Sequence, residues 1–224
     1  TIAEHNGKVD KIVGDGLMAV FGGEQPGADA VQAAIDIYQE VVPKTESEKA
    51  FNSIDIGIGV STGKAQQTAI AGFDSTVVGR CVNIAARLQG LCKEYGTSIL
   101  VDEATYTDFD GETLSERYVS RLIPNQSLRG IRRAVNAYHI CDTSRLGTEY
   151  INLFNEGIRK YLNQNYDAAL NAFTEAYTKD ERYADQILLN DFTNDCLNNL
   201  DDDRALFRNP DRYEKHSTTQ QQQA

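Results

Sequence analysis

From Ile54 to Val60 the chain sets Ile54, Ile56, Ile58 and Val60 at every second position, with Asp55, Gly57 and Gly59 between them. Period-two apolar spacing belongs to a β-strand with one crowded face. Such a face must be covered by another layer. Two amphipathic helices offer themselves as cover. Val31, Ala34, Ile35, Tyr38, Val41 and Val42 share one face of a helix over 28–42, and Ile84, Leu88, Leu91, Cys92 and Tyr95 form the stripe of a second over 83–95, which Gly96 stops. Two strands over 8–21 are expected to meet at a tight turn centred on Asp15-Gly16, followed by the breaker cluster Gly22–Gly27. A polar loop is expected over 43–53, a strand-rich hairpin over 65–78 and a short buried strand over 99–101. A helix over 102–109 opens at an Asp102 cap. Strands over 117–123 and 135–141 close the series, separated by the turn Leu128-Arg129-Gly130. This alternation implies an α+β sandwich, with helices on a mostly antiparallel sheet.

Beyond about residue 145 the pattern is helical only. Phe154, Gly157 and Tyr161, followed by Ala169 and Phe173, fit a tetratricopeptide-like helical hairpin that turns at Asn163-Gln164-Asn165. One such unit leaves an apolar face open, which 181–200 is expected to cap. From Asp201 the sequence is Asp-rich and then Gln-rich, and reads as solvated tail. The expected organisation is therefore 1–142, 145–200 and a disordered 201–224.

With 22 basic and 33 acidic residues in 224, the net charge of −11 speaks against a nucleic-acid binder. A polyphosphate site would need local cations. The four cysteines, Cys81, Cys92, Cys141 and Cys196, are widely spaced and read as free thiols of a reducing compartment. No apolar run approaches the roughly 20 residues of a membrane helix. A cytoplasmic location is expected, either of the protein itself or as the cytoplasmic part of a larger, membrane-attached one. The chain opens at Thr1 inside what reads as a helix end, and is taken as a piece of a longer protein.

Two stretches carry specific chemistry: Lys11-Ile12-Val13-Gly14-Asp15-Gly16-Leu17-Met18-Ala19-Val20-Phe21, and Val77-Val78-Gly79-Arg80-Cys81-Val82-Asn83-Ile84-Ala85-Ala86-Arg87-Leu88. Together, in this order, they resemble the catalytic domain of class III nucleotide cyclases, with a ferredoxin-like fold. The resemblance spans about residues 5–142. It implies conversion of ATP to 3′,5′-cyclic AMP and pyrophosphate with Mg²⁺ or Mn²⁺.

The resemblance also implies a set of roles. Asp15 would be a metal ligand; its companion Asp lies in the family on an earlier strand, upstream of where this chain begins. Asn83 would position the ribose, and Arg87 would stabilise charge on the transferring phosphate, a task suited to a planar, permanent cation. Four residues apart, the two share a helix face. Lys11 matches the position that reads the purine, with Thr76 as its partner, a pairing found in cyanobacterial-type adenylate cyclases. Arg129, Arg132 and Arg133 are candidates for reaching the triphosphate. In the family the metal-binding and nucleotide-binding residues of one site come from opposite subunits, so a homodimer and upstream sensor or regulatory domains are expected. Three departures stand out: Thr68 and Ala71 replace glycines of the 64–80 hairpin, that hairpin is about three residues short, and Arg80 occupies the place of an Asp. They support alternatives, namely a catalytically silent cyclase-like regulator or a guanylate cyclase, while an interaction protein built on the C-terminal helices is a third. A diguanylate cyclase is excluded because the second acid of its turn is missing.

Overall fold

The computed structural model describes residues 1–48, 56–68, 76–109, 117–179 and 183–208. They fall into two compact units, Thr1–Leu146 and Gly147–Ala224.

The first unit is built on a four-stranded sheet of order β3-β6-β8-β7, with β3 Ile58–Val60, β6 Ile99–Asp102, β7 Tyr118–Gln126 and β8 Val135–Asp142. Only β3 and β6 run parallel; β8 is antiparallel to both its neighbours. The strand predicted over 54–60 is seen from Ile58, while 51–55 lie outside the described residues. α1 (Pro26–Glu48) and α3 (Glu103–Asp108) cover one face. Val31, Ala34, Ile35 and Tyr38 of α1 form a core there with Ile99, Val101, Phe109, Tyr118 and Ile140. Tyr106 of α3 stacks on Tyr138 of β8 at 3.9 Å between ring centres. Asp102 caps α3, accepting from the Thr105 amide at 2.9 Å, and also accepts from the Ser61 hydroxyl at 2.6 Å, which joins the exit of β3 to the start of the helix.

α1 runs to Glu48, through Pro43 and into the expected loop over 43–53. Residues 44–48 hold no glycine and have helix-compatible propensities, so the backbone bonding continues. The N-terminal strands form a separate hairpin, β1 (Gly7–Val13) with β2 (Gly16–Phe21), and β4 (Ala65–Thr68) pairs with β5 (Thr76–Gly79). Val13 pairs with Gly16, which places the turn at Gly14-Asp15 instead of Asp15-Gly16. Gly14 takes φ +64° at the first turn position, the glycine-first arrangement favoured between twisted strands.

The sheet also buries polar groups. Arg121 and His139, paired across β7 and β8, are enclosed, with Arg121 Nη2 3.1 Å from His139 Nδ1 and the Cys141 sulfur 3.2 Å from the same nitrogen.

In the second unit α4 (Thr148–Leu162) and α5 (Tyr166–Tyr177) form an antiparallel hairpin, with α6 (Tyr183–Arg208) following. A side chain at Gly157 would overlap the Phe173 ring, so the small residue admits the aromatic. Phe154, Phe173 and Phe192 cluster with centroids 5.9–6.0 Å apart, and the Tyr161 hydroxyl donates to the Asp195 carboxylate. Leu188, Leu189 and Cys196 of α6 are buried. α6 takes in the first residues of the stretch expected as tail; 209–224 lie outside the described residues.

Two groups give the first unit an acid-sensitive core. Burial, and secondarily the Arg121 charge, hold His139 well below its ordinary value of about 6.5. Burial alone would raise Asp142, but Arg117 Nη2 at 2.8 Å and the Ser144 hydroxyl and amide at 2.6 and 2.9 Å outweigh it and hold the carboxyl below its usual range. Both folded values are depressed, so the stability they contribute is complete above the unfolded values and is lost as pH falls through the folded ones. Urea midpoints should therefore begin to drop below about pH 6.5, as unfolded His139 gains its proton, and drop further below about pH 4 through Asp142. His139→Gln should flatten the first step and leave the second.

Candidate active site

The site is organised by α2 (Arg80–Tyr95), which starts directly after β5 at Gly79 and ends at Gly96, φ +62°. Ile84, Leu88 and Cys92 are buried, while Asn83 and Arg87 are exposed on the opposite side. What sets this orientation is a close backbone approach. A Cβ at Gly59 would overlap the Ala85 carbonyl oxygen and lie 2.5 Å from the Gln89 amide nitrogen; one at Gly57 would lie 2.8 Å from Cys92 Cβ. The glycines that alternate with Ile58 and Val60 are thus the seat of α2. Gly59 pairs with Leu100, which puts α2 on the face of the sheet opposite to Ile99, Val101 and α1.

β5 also connects this helix to the hairpin. Lys11 Nζ of β1 donates to Thr76 Oγ1 at the start of β5. Two predicted residues, 65 positions apart, therefore meet directly. A β-bulge between Val9 and Lys11 turns Asp10 to the same side, with its Oδ2 3.1 Å from Lys11 Nζ. Asp10 is not among the residues singled out from sequence. The available signal was an acid adjoining the purine-position lysine where strand alternation fails.

Asp15 is exposed at the hairpin tip. Counting about 3.3 Å per residue, it lies roughly 13 Å along the strand from Lys11. Among the described residues no group of three or more His, Cys, Asp or Glu could hold a metal ion. Asp15 itself fits Mg²⁺ or Mn²⁺ as one donor: it is a hard carboxylate between two glycines, and Mg²⁺ is commonly held by one or two carboxylates with substrate phosphate completing its shell. Arg129, Arg132 and Arg133 are exposed in the β7–β8 connection, where Gly130, φ +83°, makes the predicted turn. Among the described residues no hydrogen bond or ion pair joins them to Lys11, Asn83 or Arg87. Thr68 ends β4, whereas Ala71 lies outside the described residues. Arg80 is exposed in the first turn of α2, seven residues before Arg87, and so shares its side of the helix.

Residues 2–141 match the family described as the adenylate and guanylate cyclase catalytic domain. The chain belongs to this family. It is 31% identical over 189 residues to the terminal-differentiation-specific adenylate cyclase of Dictyostelium discoideum, covering 77% of this chain and 9% of that protein. It is 30% identical over 151 residues to the adenylate cyclase of Anabaena cylindrica, covering 62% of this chain and 29% of the relative. The chain thus spans less than a third of either relative. Among solved structures, an adenylate/guanylate cyclase/hydrolase from Silicibacter pomeroyi superposes with TM-score 0.50 at 24% identity, covering 62% of this chain and 75% of that one, which supports the fold. No helix among the described residues is long and apolar enough to cross a membrane.

The seat of α2 in the cyclase domain can be tested by two substitutions of opposite sign. Gly59→Ala forces a side chain into backbone and should cost about 2–3 kcal/mol, lowering Tm by roughly 5–10 °C. Gly90, on the same helix with open space around its Cα, should gain from Gly90→Ala by about 0.5–1 kcal/mol. Thermal unfolding followed by circular dichroism reads both.

Proposed function

We propose that this chain is an adenylate cyclase domain that converts ATP to 3′,5′-cyclic AMP and pyrophosphate at the interface of a homodimer. The observation that carries the reading is the contact between Lys11 and Thr76. An ammonium has three donors and no acceptor, whereas a hydroxyl retains a lone pair after accepting one hydrogen bond. The pair can thus offer a donor beside an acceptor. Adenine presents the complementary edge: N1 accepts and the 6-amino group donates. Guanine, with an N1–H donor and O6 acceptor, would meet like with like, which is the kind of mismatch that discriminates strongly.

In the proposed reaction the ribose 3′-oxygen forms a bond to the α-phosphorus. The bond from that phosphorus to the bridging oxygen breaks, pyrophosphate departs, and the hydroxyl proton passes to solvent. Asn83 holds the ribose, and Arg87 meets the charge that develops on the α-phosphoryl oxygens. Arg129 and Arg132 are positioned in sequence to serve the triphosphate tail. Asp15 would hold a divalent cation, which when bound neutralises phosphate and acidifies the attacking hydroxyl.

The hairpin supports the two-subunit arrangement. Ile12 is 77% exposed and its cross-strand partner Leu17 58%, and Val9, Val13 and Val78 are also exposed. A cluster of large apolar side chains beside a catalytic loop is a natural interface. The helical unit is read as a tetratricopeptide-like module; the likeness to the Dictyostelium relative covers more of the chain than residues 1–146 contain, so part of it lies in this unit. Upstream sensor domains and a cytoplasmic setting complete the proposal. The silent-regulator reading is favoured by one observation, the absence among the described residues of further carboxylates around Asp15.

The decisive assay measures cyclic AMP from Mg²⁺- or Mn²⁺-ATP, with the chain joined to its natural upstream segment where it has one. Arg87→Ala and Asp15→Ala should each lower kcat by about 100-fold or more. Mixing the two variants should restore about a quarter of wild-type activity, because half the dimers are mixed and each then has one intact site of two. Absence of cyclic AMP from the dimer, or full activity in both variants, would establish the silent reading. Ile12→Asp should shift sedimentation toward monomer and lower activity in parallel.

A further inference from the structure

We infer that Asp10 is a positioning residue for Lys11, and that through it this carboxylate sets the choice of purine; the inference rests on the adenine reading above. The side chain of Asp10 is only 8% exposed, and its Oδ2 is enclosed without an aligned hydrogen-bond donor. An enclosed carboxylate is costly unless a cation compensates it. Among the described residues the cation paired with it is Lys11, at 3.1 Å. The β-bulge makes this geometry available: in a regular strand residues 10 and 11 would point to opposite faces, and the unpaired residue lets both turn to one side.

The consequence concerns the lysine head. Lys11 is about a third exposed on a flexible four-carbon stem, and a single hydroxyl partner would hold it weakly. Drawn from one side by the enclosed Asp10 charge and from the other by Thr76, the ammonium stays where its remaining N–H groups point outward. Because Asp10 acts by charge with no aligned hydrogen bond, it takes none of the donors that a purine nitrogen would need. A pinned donor rejects guanine N1–H; a mobile one can swing aside and let it in.

The test is Asp10→Asn, which keeps the shape and removes the charge. N-methylanthraniloyl-ATP and N-methylanthraniloyl-GTP are titrated against the whole chain by fluorescence, alongside cyclase kinetics with ATP. The expected result is a fall of about tenfold in the ATP-over-GTP binding ratio, with kcat at saturating ATP within about twofold. In a Lys11→Met background the same substitution should leave the ratio within about twofold, because a positioning residue has nothing left to position. Asp10→Ser reads the same ratio should the amide disturb the hairpin, with thermal unfolding as the check. A wild-type preference for ATP that survives both Asp10 substitutions overturns this inference alone, as does an equal fall with and without Lys11. A wild-type chain that binds both nucleotides equally overturns the adenine reading and this inference together.

Discussion

The helix that carries Asn83 and Arg87 can lie on the sheet only because residue 59 has no side chain. With the Ala85 carbonyl and Gln89 amide occupying the space of a Cβ, α2 packs backbone against backbone on β3. From that contact the rest follows by periodicity. Ile84, Leu88 and Cys92 must turn inward, so residues 83 and 87, one turn apart on the far side, must turn out. β5 runs into α2 without a loop, and the seat of the helix therefore also fixes Thr76, and through Thr76 the hairpin bearing Lys11 and Asp15. A single steric allowance in β3 thus reaches every candidate residue except the arginines of the β7–β8 connection.

A second constraint is electrostatic. A chain with net charge −11 that is to handle a polyphosphate needs cations kept free of carboxylates. Several cations are paired: Arg117 with Asp142, Lys160 with Glu156 and Lys179 with Glu149. Arg80, Arg87, Arg129, Arg132 and Arg133 have no such partner among the described residues and are exposed. Exposed ion pairs contribute little stability, so leaving these arginines unpaired costs the fold almost nothing while preserving local positive potential. Arg80, standing where the family has an acid, adds to that potential on the side of α2 that bears Arg87.

Much of this was legible in the sequence because it is local. The periodicities over 28–42, 83–95 and 99–101, the Asp102 cap and the Gly130 turn are each written in a few neighbouring residues, and the structure follows them. Where local signals compete, the reading slips. Asp15-Gly16 is a strong hairpin dipeptide, yet Gly14-Asp15 is also a favoured pair, and strand register, a property of both strands together, decides for the latter. Pro43 lies within α1 because backbone bonding on both sides carries the helix past it. What no local pattern can show is enclosure of charge. Arg121, His139 and Asp10 are polar letters in strands, and only the assembled sheet and the bulge reveal that each is buried. The meeting of Lys11 with Thr76 was legible only through family likeness, since 65 residues separate them.

The hairpin finally links assembly to chemistry. A two-stranded ribbon is marginally stable alone, and β1–β2 has no ladder to the four-stranded sheet among the described residues. Its exposed Ile12–Leu17 pair lies beside the turn that presents Asp15, three residues from one and two from the other. Any surface that covers these side chains also receives the Asp15 carboxylate. For the homodimer proposed above, the covering surface is the second copy, whose own α2 leaves Asn83 and Arg87 exposed. Burial of the apolar pair, at about 25 cal/mol per Å², would then offset the entropy of ordering both the interface and the ligand loop. On this account assembly and metal-ligand delivery are one event, and a monomer would lack the second half of each site even with its fold intact.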